Sequence, residues 1–342
     1  MKILYGIQTT GSGHLSRALS VAHELIQAGH QVDGLLSGPQ AGSHWDLSIF
    51  DSCQQLPGLS FEMVDGKVSN LRTLKKLQLK RFIKDVKQLD LSGYDLVLND
   101  FEPISAWAAK RQKITSISLS NQASFKYSVP QTEPSIADKF VMKYFAPCKH
   151  YIGLGWHHFN SPILPPIVDI KALELKTIDD DHVLAYLPYD EPQKTIAIFN
   201  QVPEVPFKLY GPFEQQDVFG NVTLCPLSRA GFLKGLASCK GLITNAGFAS
   251  VSEAFYLGKK VLVNPIKGQF EQESNAKMIE ALGLGKATEK LDSTAITDWY
   301  SSQAIAPMRY PNVAKTFAQW LERADWSSAQ SLEALTQTLW PN

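Results

Sequence analysis

The chain has 342 residues, 44% of them hydrophobic, and 33 Lys+Arg against 33 Asp+Glu, so its formal net charge is zero. That length allows two domains with separate cores. Divided at residue 160, the halves carry 17 basic against 13 acidic residues and 16 against 20, or +4 and −4, which excludes a general nucleic-acid binder with a basic face throughout.

Residues 2 to 8 read as a buried first strand, followed by a loop at Thr9-Thr10-Gly11-Ser12-Gly13-His14. Leu15, Leu19, Ala22, Leu25 and Ile26 then recur at helical spacing until Gly29, and Gln31 to Leu36 form a second strand. Gly11-x-Gly13 begins the dinucleotide fingerprint, but Ser16 replaces the third glycine and no acid closely follows the second strand, so a nicotinamide site is not expected. Arg17 reads as a helix-surface charge, with an anion contact as the alternative.

Residues 61 to 70 look like an irregular loop. From Leu71 to Leu89 apolar residues keep helical spacing among Arg72, Lys75, Lys76, Lys80, Arg81, Lys84 and Lys87. Such a helix either packs on the core with a solvated basic face or lies on an anionic membrane. Tyr94 to Asp100 is the next strand, and Ile114 to Leu119 another. Ligands of open α/β sheets sit beyond the carboxyl ends of the strands, so Asp100, Glu102 and the first loop are expected at one crevice. Glu102 can equally cap the helix that begins at Pro103. Asn121 and Gln122 are candidate acceptor contacts. Residues 125 to 150 hold an aromatic-rich helical segment, a lid or a core helix.

Pro162, Pro165 and Pro166 stiffen a linker that ends at Asp179-Asp180-Asp181, an acidic turn not expected to bind metal. Strands are then expected at His182 to Leu187, Thr195 to Asn200, Phe207 to Tyr210, Val222 to Cys225, Leu242 to Thr244 and Lys260 to Val263, a second doubly wound sheet. After the strand ending at Thr244, Asn245-Ala246-Gly247 turns into a helix carrying Phe248, Ala249, Ser250, Ser252 and Glu253. Backbone N–H groups converging at its N-terminus make an anion site. The side-chain oxygens of Asn245, Ser250 and Ser252 can add hydrogen bonds, and Glu253 can take two ribose hydroxyls. A more polar loop follows, with Gln269, Glu271, Gln272 and Asn275 suited to sugar hydroxyls. Arg229 and Lys267 are the nearest cations for a diphosphate.

The pattern Asn-Ala-Gly-Phe-x-Ser-x-x-Glu-Ala, then Leu-Gly-Lys-Lys-Val-Leu-Val-x-Pro, then Glu-Gln-x-x-Asn-Ala resembles the donor half of the GT-B fold glycosyltransferases. It is similar to the lipid II-forming N-acetylglucosaminyltransferases and to the signature box of plant UDP-glycosyltransferases. Gly-x-Gly-His-x-x-Arg, here Gly11 to Arg17, also occurs in that superfamily. The resemblance implies an α/β protein of two Rossmann-like domains: residues 1–155 for the acceptor, a linker at 156–182, residues 183–325 for a nucleotide sugar, and a helix at 326–342 crossing back.

It further implies an inverting, metal-independent hexosyltransferase without a cofactor, moving a sugar from a UDP-linked donor, by analogy UDP-N-acetylglucosamine, to a hydroxyl of a lipid-linked or glycan acceptor. Histidine exchanges protons readily near neutral pH, so His14 is a candidate base, with capping or phosphate contact as alternatives. Asp100 would orient His14, as in the His-Asp pairs of plant members; otherwise Glu102 is the base. Gly11, Gly13 and Arg229 join the donor site. A nucleotide-sugar 2-epimerase and a non-catalytic nucleotide-sugar sensor share these features. Widely spaced cysteines and a short apolar start lead to the expectation of a cytoplasmic protein with peripheral membrane contact through residues 71–89.

Overall fold

The computed structural model describes all residues except 39–44, 60–62, 65–66, 69–77, 175–179, 324 and 341–342. Its first half forms strands β1 (Lys2–Gln8), β2 (Gln31–Ser37) and β3 (Cys53–Leu56), then a two-residue antiparallel pair, β4 (Met63–Val64) and β5 (Lys67–Val68), inside the stretch expected to be irregular. Strands β6 (Leu96–Asp100), β7 (Ser116–Ser120), β8 (His150–Leu154) and β9 (Ile163–Leu164) follow. Seven of these make one parallel sheet in the order β3-β2-β1-β6-β7-β8-β9. The chain reverses direction across the sheet at β1, so the carboxyl ends of β1 and β6 frame a crevice.

The second half repeats this plan with β10 (Val183–Tyr186), β11 (Phe207–Gly211), β12 (Asp217–Phe219), β13 (Val222–Pro226), β14 (Gly241–Thr244), β15 (Lys260–Val263) and β16 (Lys286–Ala287). Their order is β12-β13-β11-β10-β14-β15-β16, parallel except for β12. Here the reversal falls at β10 beside β14. Most strands read as near-continuous apolar runs because helices cover both faces.

Thr195 to Asn200, expected as a strand, lies instead in the helix Pro192–Phe199. The β-branched alternation there is overridden by Pro192 in the first turn and by Ile196 and Phe199, which enter the core one turn apart. Topology demands the same outcome, since β10 and β11 are parallel and need a crossover.

The two halves share one apolar core, in which Trp156 packs 5.0 Å, centroid to centroid, from Phe248 and donates its Nε1–H to Ser252 at 2.9 Å. The helix Val313–Arg323, within the range expected for the second domain, already packs on the Ser12–Gln27 helix of the first half. Leu335 and Leu339 of the last helix are buried, and Trp340 Nε1 donates to Ile163 O of β9 at 2.8 Å.

Of the basic helix expected over 71–89, residues 71–77 lie outside the described residues. The rest forms the helix Leu79–Gln88, which buries Val86 but leaves Leu79 and Ile83 exposed. Asp180 pairs with Lys208 at 2.9 Å and Asp181 with Lys240 at 2.7 Å; Asp179 lies outside the described residues. Among the described residues no helix is long and apolar enough to cross a membrane.

Candidate active site

The carboxyl ends of β1, β6, β10 and β14 meet at one cleft of about 580 Å³. Gly11, Gly13, His14, Arg17, Phe101 and Gln122 line it from the first half. Tyr186, Pro188, Tyr189, Asn245, Gly247, Phe248, Ala249, Ser250, Gln269, Glu271 and Gln272 line it from the second.

Two helices present their first turns to this cleft, Ser12–Gln27 after Gly11 and Phe248–Tyr256 after Gly247, and neither has a side-chain cap. Elsewhere Glu102, Ser120, Ser135, Ser228, Gln269, Asp292 and Ser328 each cap a helix, while Leu79–Gln88 and Pro192–Phe199 are also without a side-chain cap but begin away from the cleft lining. Uncapped amides at the positive end of a helix dipole are suited to an anion. Gly11 has φ of 97°, a backbone region that favours glycine. At Gly13 an added Cβ would lie 2.9 Å from the Cβ of Ala249, so the two first turns touch.

The turn before the second helix holds Ala246 at φ of 60°. Asn275, fully buried, donates to Ala246 O at 3.0 Å and so fixes this strained turn rather than facing the cleft. Asn245 Nδ2 donates to Asp190 at 2.7 Å and to Asn264 O at 3.2 Å. Gln269 caps its own helix through the Gln272 N–H, while Gln272 Oε1 accepts from Ile266 N. Glu271 accepts from Gln122 Nε2 at 2.8 Å, a bond across the cleft.

On the first half, His14 Nδ1 stands 2.9 Å from Asp100 Oδ1. Arg17, expected on the surface, is buried: its Nε donates to Asp100 Oδ2 at 2.5 Å and its Nη2 to Oδ1 at 2.7 Å. Nη2 also lies 2.7 Å from His14 Nδ1. Nδ1 cannot both donate to the carboxylate and accept from the guanidinium. Nη2 carries two hydrogens, so it can direct one at Asp100 Oδ1 and the other at Nδ1, and the role of Nδ1 follows the tautomer of the ring. In the tautomer protonated at Nδ1, that nitrogen donates to Asp100 and the Nε2 lone pair is left as a base; in the other, Nδ1 accepts from Arg17. Burial pushes the Asp100 carboxyl up, but Arg17 and then His14 outweigh it and hold it below the usual carboxylate range.

Several expected contacts sit differently. Glu102 is fully buried and accepts from Ile104 N at 2.7 Å and Ser105 N at 2.6 Å, capping the Pro103–Gln112 helix. With both oxygens on backbone amides and no exposure, it has no route to an acceptor proton. Glu102→Ala should therefore destabilise the fold by about 1–2 kcal/mol, the worth of a good cap, with donor affinity unchanged; a thermal melt beside a calorimetric titration checks this. Asn121 is buried and donates to Leu154 O, behind the cleft surface. Ser252 faces Trp156, not the anion site. Glu253 is bound at both oxygens by Arg229, whose Nη2 also reaches Ser16 Oγ at 3.0 Å. A ribose contact at Glu253 has to displace that guanidinium, and Arg229 bridges the two halves instead of facing the cleft.

Of the two readings of residues 125–150, lid or core helix, the segment 132–142 supplies cleft wall: Thr132, Glu133, Ser135, Ala137, Asp138, Val141 and Met142 all line it. None of the helix Ile136–Tyr144 is buried, which rules out the core-helix reading. Tyr189 was missed, although its place just after β10 follows from the strand-end rule.

Comparison with known proteins agrees with this architecture. The model of the family described as Glycosyl transferase family 1 matches residues 1–303. An uncharacterised glycosyltransferase of Methanosarcina acetivorans is 23% identical, covering 84% of this chain and 85% of that protein. Among solved structures, the glycotransferase of kitacinnamycin superposes with a TM-score of 0.62 at 16% identity, over 99% of this chain and 96% of the other. Arabidopsis thaliana UGT89C1 complexed with UDP gives 0.54 at 15% identity, over 99% of each chain. With a family model spanning most of its length on a GT-B fold, this chain belongs to glycosyl transferase family 1 and is a glycosyltransferase.

Proposed function

We propose that the chain transfers a sugar, with inversion, from a nucleotide-diphospho-sugar to a hydroxyl acceptor, without a divalent metal. The observation that carries this is the uncapped N-terminus of the Phe248–Tyr256 helix on one wall of the cleft, with the His14–Asp100 couple and the uncapped first turn that carries His14 on the other. His14 Nε2 would take the acceptor's proton as its oxygen attacks the anomeric carbon. The Gly247 to Ser250 amides would stabilise charge growing on the departing diphosphate, the role a metal plays elsewhere. Asn245 Oδ1 and Gln122 Oε1 are buried acceptors with no partner among the described residues, which suits them to donor or acceptor N–H and O–H groups.

UDP is the favoured nucleotide, because a solved relative of the same fold carries it; N-acetylglucosamine remains the sugar favoured by the sequence resemblance. In this reading residues 1–155 hold the acceptor and 183–325 the donor. Calorimetric titration with UDP-, GDP-, dTDP- and CDP-sugars, without and then with magnesium, tests it. The expected result is micromolar binding of one UDP-sugar without metal. Binding only with magnesium overturns the metal-free assignment, and a silent panel overturns the donor site. Release of an epimer from donor alone would replace transfer to an acceptor by epimerisation.

A further inference from the structure

The helix Ile136–Tyr144 carries apolar residues on an outer and an inner arc and buries none of them. Ile136, Phe140 and Tyr144 recur every four residues and are 89%, 64% and 38% exposed. Ala137 and Val141, one position on, keep the same spacing and line the cleft. The apolar surface thus runs unbroken around the helix from solvent into the acceptor side of the cleft. Exposed aromatic and aliphatic side chains at this density are uncommon on a surface without a partner.

The charge around the stripe identifies that partner. Lys139 and Lys143 flank it on the same helix, and Lys143 sits 5.1 Å over the Tyr144 ring. Trp107 donates to Tyr144 O at 3.0 Å, with Lys110 4.9 Å over its ring, and Lys126 donates to Met142 O at 3.2 Å. Against these four cations stand Glu133, 4.0 Å from Lys139, and Asp138, which is held in the helix's capping box. Apolar side chains ringed by lysine, tryptophan and tyrosine suit the boundary of an anionic bilayer.

We propose that this helix seats the enzyme on an anionic lipid surface, with the mouth of the cleft facing the bilayer. The basic helix Leu79–Gln88 is a separate element, which packs on the Pro103–Gln112 helix that carries Trp107 and Lys110 and is not part of the cleft lining. Seating on lipid does not depend on the donor assignment.

Co-sedimentation of the full chain with phosphatidylcholine vesicles, alone or containing phosphatidylglycerol, tests the proposal. The expected result is binding to the anionic vesicles that salt weakens. A double variant, Ile136→Asn with Phe140→Asn, should bind them at least about tenfold more weakly, given the apolar surface lost. Both side chains are exposed, so its thermal midpoint and its nucleotide-sugar affinity should stay put; these controls separate this idea from the donor reading. Lys139→Glu with Lys143→Glu should abolish the preference for anionic lipid. No vesicle binding, equal binding to both vesicle types, or binding unchanged in the double variant overturns the proposal. So does a dimer in size-exclusion chromatography that the double variant dissolves, which would make a second copy the occupant.

Discussion

His14→Ala is expected to lower kcat by about 10²–10⁴-fold, the usual worth of a positioned general base, while the calorimetric affinity for the donor changes little. With the proton on Nδ1 donated to Asp100, the other ring nitrogen is left to act. Added imidazole should restore part of the lost rate in the variant, because the cavity left by the ring remains beside the acceptor. A variant with ordinary turnover removes His14 as the base. One that loses donor affinity by the same factor as kcat/KM assigns the ring to binding instead.

Arg17→Met should be the most damaging single change to stability, costing about 3–5 kcal/mol, because it strips a buried carboxylate of its counter-charge. Asp100 is fully buried and held below the usual carboxylate range by Arg17 and His14 against the opposing effect of burial. Its stabilising contribution is therefore present above the unfolded carboxyl value, about pH 4, and is lost as pH falls through the lower folded value. The gap between native protein and variant should be widest near neutral pH and narrow under acid, when Asp100 takes a proton in both. Urea melts at several pH values measure this. Arg17→Met combined with Asp100→Leu should recover much of the loss, since neither charge is then stranded, yet remain catalytically poor. A gap that does not change with pH would mean that the ion pair is not its source.

Arg17 also alters how the couple works. Its guanidinium already balances Asp100, so a protonated His14 leaves a net positive cluster, unlike a lone His–Asp pair. Glu271, across the cleft and close enough to act on Arg17, partly offsets that charge. In the proposed reaction this positive cluster would stand opposite the departing diphosphate.

The strand pattern and strand-end rule made the meeting of His14 and Asp100 legible, because parallel sheets fix where carboxyl ends converge. Arg17 was not legible. Helical periodicity reports which side of a helix a residue takes, and its partner lies on another strand. The Arg229–Glu253 pairing was hidden for the same reason, as each residue alone looked free to meet a ligand. Thr195 to Phe199 misled through composition, since a short β-branched run does not separate strand from helix. The helix Ile136–Tyr144 was ambiguous because an apolar arc has the same spacing whether it meets a core, a ligand or a lipid.

At Gly13 a single hydrogen atom stands where a methyl group would press on Ala249. This is one of the points where the two lobes meet, beside the Trp156–Phe248 packing and the Gln122–Glu271 bond, and it lies on the cleft wall itself. A larger residue there would act as a wedge, moving the first turn that carries His14 away from the Phe248–Tyr256 helix as it widens the cleft. One substitution at this position would therefore change the width of the cleft without replacing either member of the His14–Asp100 pair.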